Sequence, residues 1–460
     1  MISVLKTLRK PELSDQFILS KQEKDSKCPL SCLILKEKHM QFIRTVKDGG
    51  HYDLIVCGAG PGGTAAAISA AREGKHVLLM DAAGCLGGYW TSGLMGIALD
   101  MPGKGGIPLE IVQKLLVKKR AEWVNHASYA YDIESMKLVL ETLVQEAGVD
   151  VLLYSRVTDV ILKERRISSI LADGMTSMGF SADFFVDGTG HGKLGELAGC
   201  NYSIGFNGHQ QPASLEAVVA GVPIELWQSD IHNPTVKQRF KKMLMDLGVN
   251  CTYPQPLLFR LTPNAVLHKM AINHQYDVSA NDDFGMSRAT LEARQEIGRA
   301  ADALASQPGW DNFTLAQTAE QLGLRDSRRI EGLYTVTVKD ALYGQRFDDA
   351  VSPVHFCLDV HDLSPDYKLP PEVKGYHFKP FDIPMRSLIS SQVDNLLMVG
   401  RCISGDFLAH SAYRTTCTAC ALGEAAGLAV SKLRVGQCAK ETDGKAIHNE
   451  MNQRGYHFKE

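Results

Sequence analysis

Leu54-Ile55-Val56-Cys57-Gly58-Ala59-Gly60-Pro61-Gly62-Gly63 is the stretch whose reading decides the fold. Four apolar residues run into a glycine-rich turn and then an alanine-rich segment to Arg72, so the local reading is buried strand, tight turn, helix. The GxGxxG spacing has a mechanism. Gly58 permits the turn, Gly60 lets backbone amides approach a pyrophosphate, and Gly63 lets the helix lie close to the strand. Pro61 and Gly62 open the helix, whose N-terminal N–H groups attract negative charge. A second apolar run, Val77–Met80, ends on Asp81, 18 residues after Gly63, where an acidic side chain accepts hydrogen bonds from a ribose diol. Strand, glycines, helix, strand and acid in this order read as a dinucleotide site. Taken alone, Asp81 is equally a strand-end turn residue, and the dinucleotide is not yet specified.

Outside this unit, the chain of 460 residues exceeds what one compact core organises, so two domains are expected. A formal charge of -3 with no basic tract gives no field for a polyanion, which argues against nucleic acid as a partner. The 11 cysteines lack the short regular spacing of a secreted disulfide scaffold, so reduced thiols and a cytoplasmic setting are expected. Charged residues interrupt every apolar run before Ser20, so no signal-peptide core is read there. The uncharged run 54–71 is long enough to mimic a membrane span, but its glycines and Pro61 argue for the turn instead. Residues 1–50, lysine-rich and without a sustained period, read as a peripheral extension containing two short apolar pieces, 17–19 and 32–35. Helices are expected over 107–123, 135–147, 287–304 and 416–433, and strands over 151–154, 157–162, 184–187 and 396–399.

The residues after Asp81 bear on the cofactor. Ala82-Ala83-Gly84-Cys85-Leu86-Gly87-Gly88 brings a second glycine pair soon after the acid. Later come Phe185-Val186-Asp187-Gly188-Thr189-Gly190, then Asn395-Leu396-Leu397-Met398-Val399-Gly400-Arg401, and Ala421-Leu422-Gly423-Glu424-Ala425-Ala426-Gly427. In this order the segments resemble the glutathione-reductase-type FAD domain: its second glycine motif, its strand-end Ala-Thr-Gly motif with Gly188 in place of alanine, and its late strand beside the ribityl chain. The chain thereby resembles the FAD-dependent oxidoreductases related to fumarate reductase and succinate dehydrogenase flavoproteins. Leu322 to Ile330, containing Arg325, Arg328 and Arg329, is similar to a signature of that family, with Asp326 where glutamate is common. The resemblance implies an α/β Rossmann-like FAD domain, discontinuous over 51–200 and 382–440, with an inserted α+β substrate or cap domain over 201–381. It also implies FAD contacts from Gly58, Gly60, Pro61, Gly62, Gly63, Asp81, Ala82, Gly87, Gly88, Val157, Asp187, Gly188, Thr189, Gly190, Gly400, Arg401, Thr415, Thr416 and Cys417. No histidine follows Gly88 in the segment where fumarate reductase relatives attach FAD, so non-covalent binding is expected.

For chemistry, flavin-dependent hydride transfer needs a proton acceptor and positive potential near the ring. His410-Ser411-Ala412-Tyr413-Arg414 precedes a helix whose first amides, 415–418, are free to face an anion. Its His-x-x-x-Arg spacing is similar to that of the fumarate reductase relatives, which implies His410 as proton acceptor or substrate hydrogen-bond donor and Arg414 as the substrate's anion partner. The alternative has His410 satisfying a loop and Arg414 paired with an acid such as Asp406. Arg325 and Arg328 read either as a substrate clamp or as structural salt bridges. Tyr89 and Trp90 stand as flavin neighbours or as core. The Cys417-x-x-Cys420 pair is expected to be a packing feature rather than a redox dithiol, and no metal site is evident. The expected activity is hydride transfer between a small organic substrate and flavin N5, in either direction, with a second electron acceptor and a homo-oligomer both open. The competing reading is a flavin-binding electron-transfer or regulatory protein without turnover of its own.

Overall fold

The computed structural model describes residues 45–458 apart from 224–233, 262–266, 365, 368, 369, 371, 372 and 374. Before residue 45 it describes only the backbone of Ile2–Thr7, Phe17–Lys21, Leu30–Glu37 and the start of Met40–Cys57. Five strands make a parallel layer in the order Asp150–Leu152, Val77–Met80, the end of Met40–Cys57, the end of Ser177–Asp187, and Leu396–Met398. Leu54, Ile55, Val56, Val77, Leu79, Leu396 and Leu397 are fully buried, as continuous apolar strands in a sheet covered on both faces must be. An antiparallel meander, Arg156–Lys163, Arg166–Asp173 and Ser177–Asp187, widens the sheet. The fold is the expected α/β class.

Two helices meet across one face because glycines allow it. A Cβ on Gly423 would sit 1.9 Å from the Gly62 carbonyl oxygen, and one on Gly427 2.5 Å from that of Ala66. This close approach brings Thr416–Lys432 against Pro61–Arg72, and Ser69 Oγ–H donates to the Glu424 carbonyl at 2.8 Å. Residues more than 350 positions apart thus form one helical layer beside the glycine turn.

Between these parts, Ala217–Ala220, Leu257–Arg260, Leu267–Ala271 and Thr314–Thr318 form a four-stranded antiparallel sheet backed by the helix Asp283–Ala305. Asp282 caps that helix through the Gly285 amide, and Ala289, Ala293, Ile297, Ala300 and Leu304 are its buried stripe at helical spacing.

One expected element differs. The helix read over 107–123 ends at Val117, and Ala121–Asn125 is a strand paired with Ser128–Tyr131. Lys119 takes a left-handed conformation (φ 56°) that ends the helix, and the strand that follows is only partly buried, from buried Ala121 to exposed Trp123. At the N-terminus, Leu30–Glu37 pairs with Met40–Cys57, and Ile2–Thr7 with Leu30–Glu37. The side chains of residues 1–44, including both short apolar pieces at 17–19 and 32–35, lie outside the described residues. Among the described residues, no helix is long and apolar enough to cross a membrane.

Candidate active site

The glycine turn has the geometry its spacing demands. Gly58 has φ +98°, and a Cβ there would lie 2.4 Å from the Gly188 carbonyl oxygen, because Met40–Cys57 and Ser177–Asp187 end side by side. Around Gly60 there is open space, its Cβ direction meeting nothing nearer than 4.0 Å, which leaves its backbone free to approach a ligand. Gly63 packs inward against the Gly58 carbonyl, so its part is to hold the turn rather than to face the cleft. The Asp81 carboxylate accepts from the Ala59 amide at 2.6 Å and the Ala83 amide at 2.8 Å, locking the turn to the end of the second strand. Burial raises the Asp81 carboxyl, and these amides oppose that rise. Gly87 (φ +98°) donates its amide to the Ala59 carbonyl at 2.7 Å, so the second glycine pair clasps the first motif.

A cleft of about 2220 Å³ opens along this turn and runs to the four-stranded antiparallel sheet. Sites for one drug-sized ligand reach about 1000 Å³, so the space takes a dinucleotide and a substrate together. Of the residues expected at the cofactor, Gly58, Gly60, Pro61, Gly62, Asp81, Ala82, Gly88, Val157, Gly188, Thr189, Gly190, Gly400, Arg401 and Thr416 line it. Gly63, Gly87, Asp187, Thr415 and Cys417 lie behind that wall. Asp187 accepts from Thr189 Oγ1–H at 2.6 Å and from the Gly195 amide at 2.9 Å, shaping the strand end. Thr415 is the N-cap of Thr416–Lys432 without a side-chain capping bond, so the amides that follow are left to the cleft side. Gly190 (φ +71°) makes room for Arg401, whose guanidinium nitrogen lies 2.6 Å from where a Cβ would stand. Open cradle, positive helix start and Arg401 fit the anionic cofactor that the sequence predicts.

The catalytic pair separates. Arg414 lines the cleft and pairs with Asp359 at 2.7 Å, not with Asp406. Asp406 instead caps the short helix Phe407–Tyr413 through the Ala409 amide and also accepts from the Val338 amide. His410 sits on that helix, fully buried and away from the cleft lining. Neither ring nitrogen makes a well-formed hydrogen bond, although the Arg401 backbone lies near enough to favour a proton there. Burial, then Arg329, Arg414 and Arg401, hold its proton affinity well below the usual histidine value.

The arginine cluster also divides. Arg328 bonds Glu196 at 2.9 Å, the His191 carbonyl at 2.9 Å and Asn281 Oδ1. Arg329 is buried against Asp326 at 2.6 Å and the Gly405 carbonyl at 3.0 Å. Both tie distant parts of the chain together, although Arg328 also touches the cleft. Arg325 faces the cleft, its Nη1 held by the Pro212 carbonyl and Ser214 Oγ, and among the described residues it pairs with no carboxylate. Tyr89 lines the cleft and donates to Glu216 at 2.9 Å, whereas Trp90 is core. Cys417 and Cys420 are buried thiols, Cys417 pushed up to about 12 by burial. Among the described residues no cluster of metal-ligating side chains occurs.

Sequence reasoning missed the residues opposite the cofactor side: Tyr253, His274, Asp359 and His361. They carry no motif and come from three separate loops and strand ends, so only the fold assembles them.

The sheet, cradle and capped cleft define a dinucleotide-binding α/β enzyme. Residues 53–451 match the family described as FAD dependent oxidoreductase, and the chain belongs to that family. Its cofactor is FAD, and it is an oxidoreductase. A curated relative, thiamine thiazole synthase of Aeropyrum pernix, is 27% identical over 170 residues, covering 33% of this chain and 58% of the relative. Among solved structures, a geranylgeranyl bacteriochlorophyll reductase-like protein from Thermoplasma acidophilum is 13% identical, with TM-score 0.45 over 89% of this chain and 85% of its own. The flavin-dependent brominase Bmp2 is 14% identical, with TM-score 0.47 over 87% and 84% of the two chains.

Proposed function

We propose that the enzyme transfers hydride between flavin N5 and a small organic anion held between Arg325 and Arg414, with the middle domain as its substrate cap. FAD supplies the two-electron centre, and the chain supplies position, charge and proton transfer. The observation that carries the reading is the placement of Arg325 and Arg414 on the cleft wall, Arg325 with no carboxylate partner among the described residues. A half-buried cation with no carboxylate partner is a ready site for an anion, so a substrate carboxylate or enolate supplies the missing charge. Arg401, beside Gly190 and near the Thr416 helix start, contributes positive potential where negative charge develops on the ring. The Tyr89–Glu216 hydrogen bond fixes Tyr89 at the border between the cofactor and substrate ends. The His410-x-x-x-Arg414 spacing supports kinship with the fumarate reductase and succinate dehydrogenase flavoproteins, with Arg414 in the shared substrate role.

The test is anaerobic. A library of carboxylic acids, sugars, amines and reduced nicotinamides is mixed with the holoenzyme, and bleaching of the flavin is followed. The reading expects bleaching, or reoxidation of the reduced enzyme, by an anionic member. Equal response to neutral and anionic members contradicts the role of Arg325 and Arg414.

A further inference from the structure

His274 and His361 meet at the wall of the cleft, their ring centroids 4.8 Å apart and nearly perpendicular. Each is anchored through its backbone, leaving the ring to the cleft: the His274 amide donates to Thr252 Oγ1 at 2.8 Å, and the His361 amide to Gln211 Oε1 at 3.2 Å. Tyr253 packs on His274 at 4.4 Å and Tyr276 meets it edge-on, fixing the plane of the ring. His274 is 3% exposed, and its Nε2 has no hydrogen-bond partner. A buried polar nitrogen without a partner destabilises a folded protein, so its persistence at a cleft wall points to a partner supplied by a ligand. His361 Nε2 lies 3.5 Å from Asp359 Oδ1, and the other carboxylate oxygen of Asp359 holds Arg414 at 2.7 Å. A carboxylate, two imidazoles and two arginines therefore stand in one group, whereas His410 has no face on the cleft.

We propose that His274 and His361 are the substrate-side proton acceptor of this enzyme, and that they accept a proton only once an anionic substrate neutralises Arg325 and Arg414. The proposal rests on the hydride-transfer reading above. In the oxidative direction a substrate C–H bond breaks, and its hydrogen leaves with both electrons to the oxidised flavin. The proton of the adjacent O–H or N–H passes to His274 Nε2, and the new C=O or C=N bond forms from the electrons left behind. The negative charge of Asp359 favours the protonated ring.

The charges around the pair explain the gating. Burial first, then Arg325 and His361, hold His274 down at about 2, with Asp359 opposing. Burial, then Arg325, Arg414 and Lys237, hold His361 down at about 2. Tyr253 and Tyr276, which pack on His274, are raised by burial and stay neutral. Without a bound anion the imidazoles are therefore neutral. An anion on Arg325 and Arg414 removes the arginine part of this depression, leaving the part due to burial, and so raises the affinity of both rings for a proton.

The experiment is calorimetric titration of the FAD-loaded enzyme at pH 7 with acetate, benzoate and succinate, each in bis-Tris and in Tris. These buffers differ in ionisation enthalpy, so the difference reports protons taken up on binding. At least one anion should bind with net proton uptake, read as a binding enthalpy that differs between the two buffers. In His274→Asn/His361→Asn the uptake should vanish while the anion still binds, and Arg414→Met should weaken binding about tenfold or more. Binding without proton uptake in the native enzyme, no binding of any of the three anions, or undiminished uptake in the double variant each overturns the proposal. The native measurement decides even if the variant folds poorly. Flavin bleaching with no anion-linked uptake would reject this proton acceptor and leave the hydride-transfer reading intact.

Discussion

Acid should destabilise this enzyme through its buried histidines, and the size of the effect follows from their surroundings. His191 lines the cleft and is held down at about 3 by burial, then Arg401 and Arg328. His274 and His361 are held at about 2, and His410 is depressed well below its ordinary value. An unfolded chain binds the proton near pH 6.5, whereas the folded chain refuses it until far lower. The folded pKa is depressed, so the stabilisation is present above about 6.5 and is lost as pH falls from there toward 2–3. Between pH 7.5 and 5.5 each such group removes about 1.4 kcal/mol, and four of them set a ceiling of about 5 kcal/mol. Buried carboxyls with raised values, Asp81, Asp187, Asp326 and Glu424, act in the opposite sense. The variant comparison isolates the histidine share. Denaturant unfolding of the native enzyme and His191→Gln at both pH values should show a loss on acidification about 1 kcal/mol smaller in the variant. An identical pH dependence in the two proteins would refute the account of His191 as a neutral ring with a lowered proton affinity.

Other consequences concern the cradle, the helix contact and the cysteines. Gly58→Ala forces a side chain into a left-handed backbone and against the Gly188 carbonyl, so FAD affinity should fall about tenfold or more in a fluorescence titration. Gly423→Ala drives a methyl group to 1.9 Å from the Gly62 carbonyl and should cost about 1–3 kcal/mol, read as a lower denaturant midpoint with an unchanged slope. Arg414→Ala should retain the flavin spectrum and lose turnover; retained turnover would remove Arg414 from the site. A native thiol titration should modify Cys357, which is exposed, and leave Cys417 and Cys420 unreacted until the protein unfolds.

What the sequence made legible follows local physics. The turn at Gly58 to Gly63, the strand at Val77–Met80 and the helix Thr416–Lys432 are written in contiguous residues whose backbone needs are specific, and they stand where the spacing put them. Asp81 was legible for the same reason, although its locking of the Ala59 and Ala83 amides emerges only in three dimensions. The helix over 107–123 was misread because its apolar residues suit a helix and a half-buried strand alike, and the break at Lys119 has no glycine or proline to announce it. At the reactive end the separation of His410 from Arg414 turns on the short helix capped by Asp406, which swings the histidine into the core while the arginine remains on the cleft. The pairing of His274 with His361 was invisible because 87 positions separate them and no periodicity links them.

The most direct test of the central claim is the purified protein's visible spectrum before and after denaturation, with chromatography of whatever is released. The account predicts a flavin spectrum, one FAD per chain, full release on denaturation, and loss of that flavin in Gly58→Ala. A colourless protein that FAD does not reconstitute, or one that carries a different dinucleotide, would contradict it.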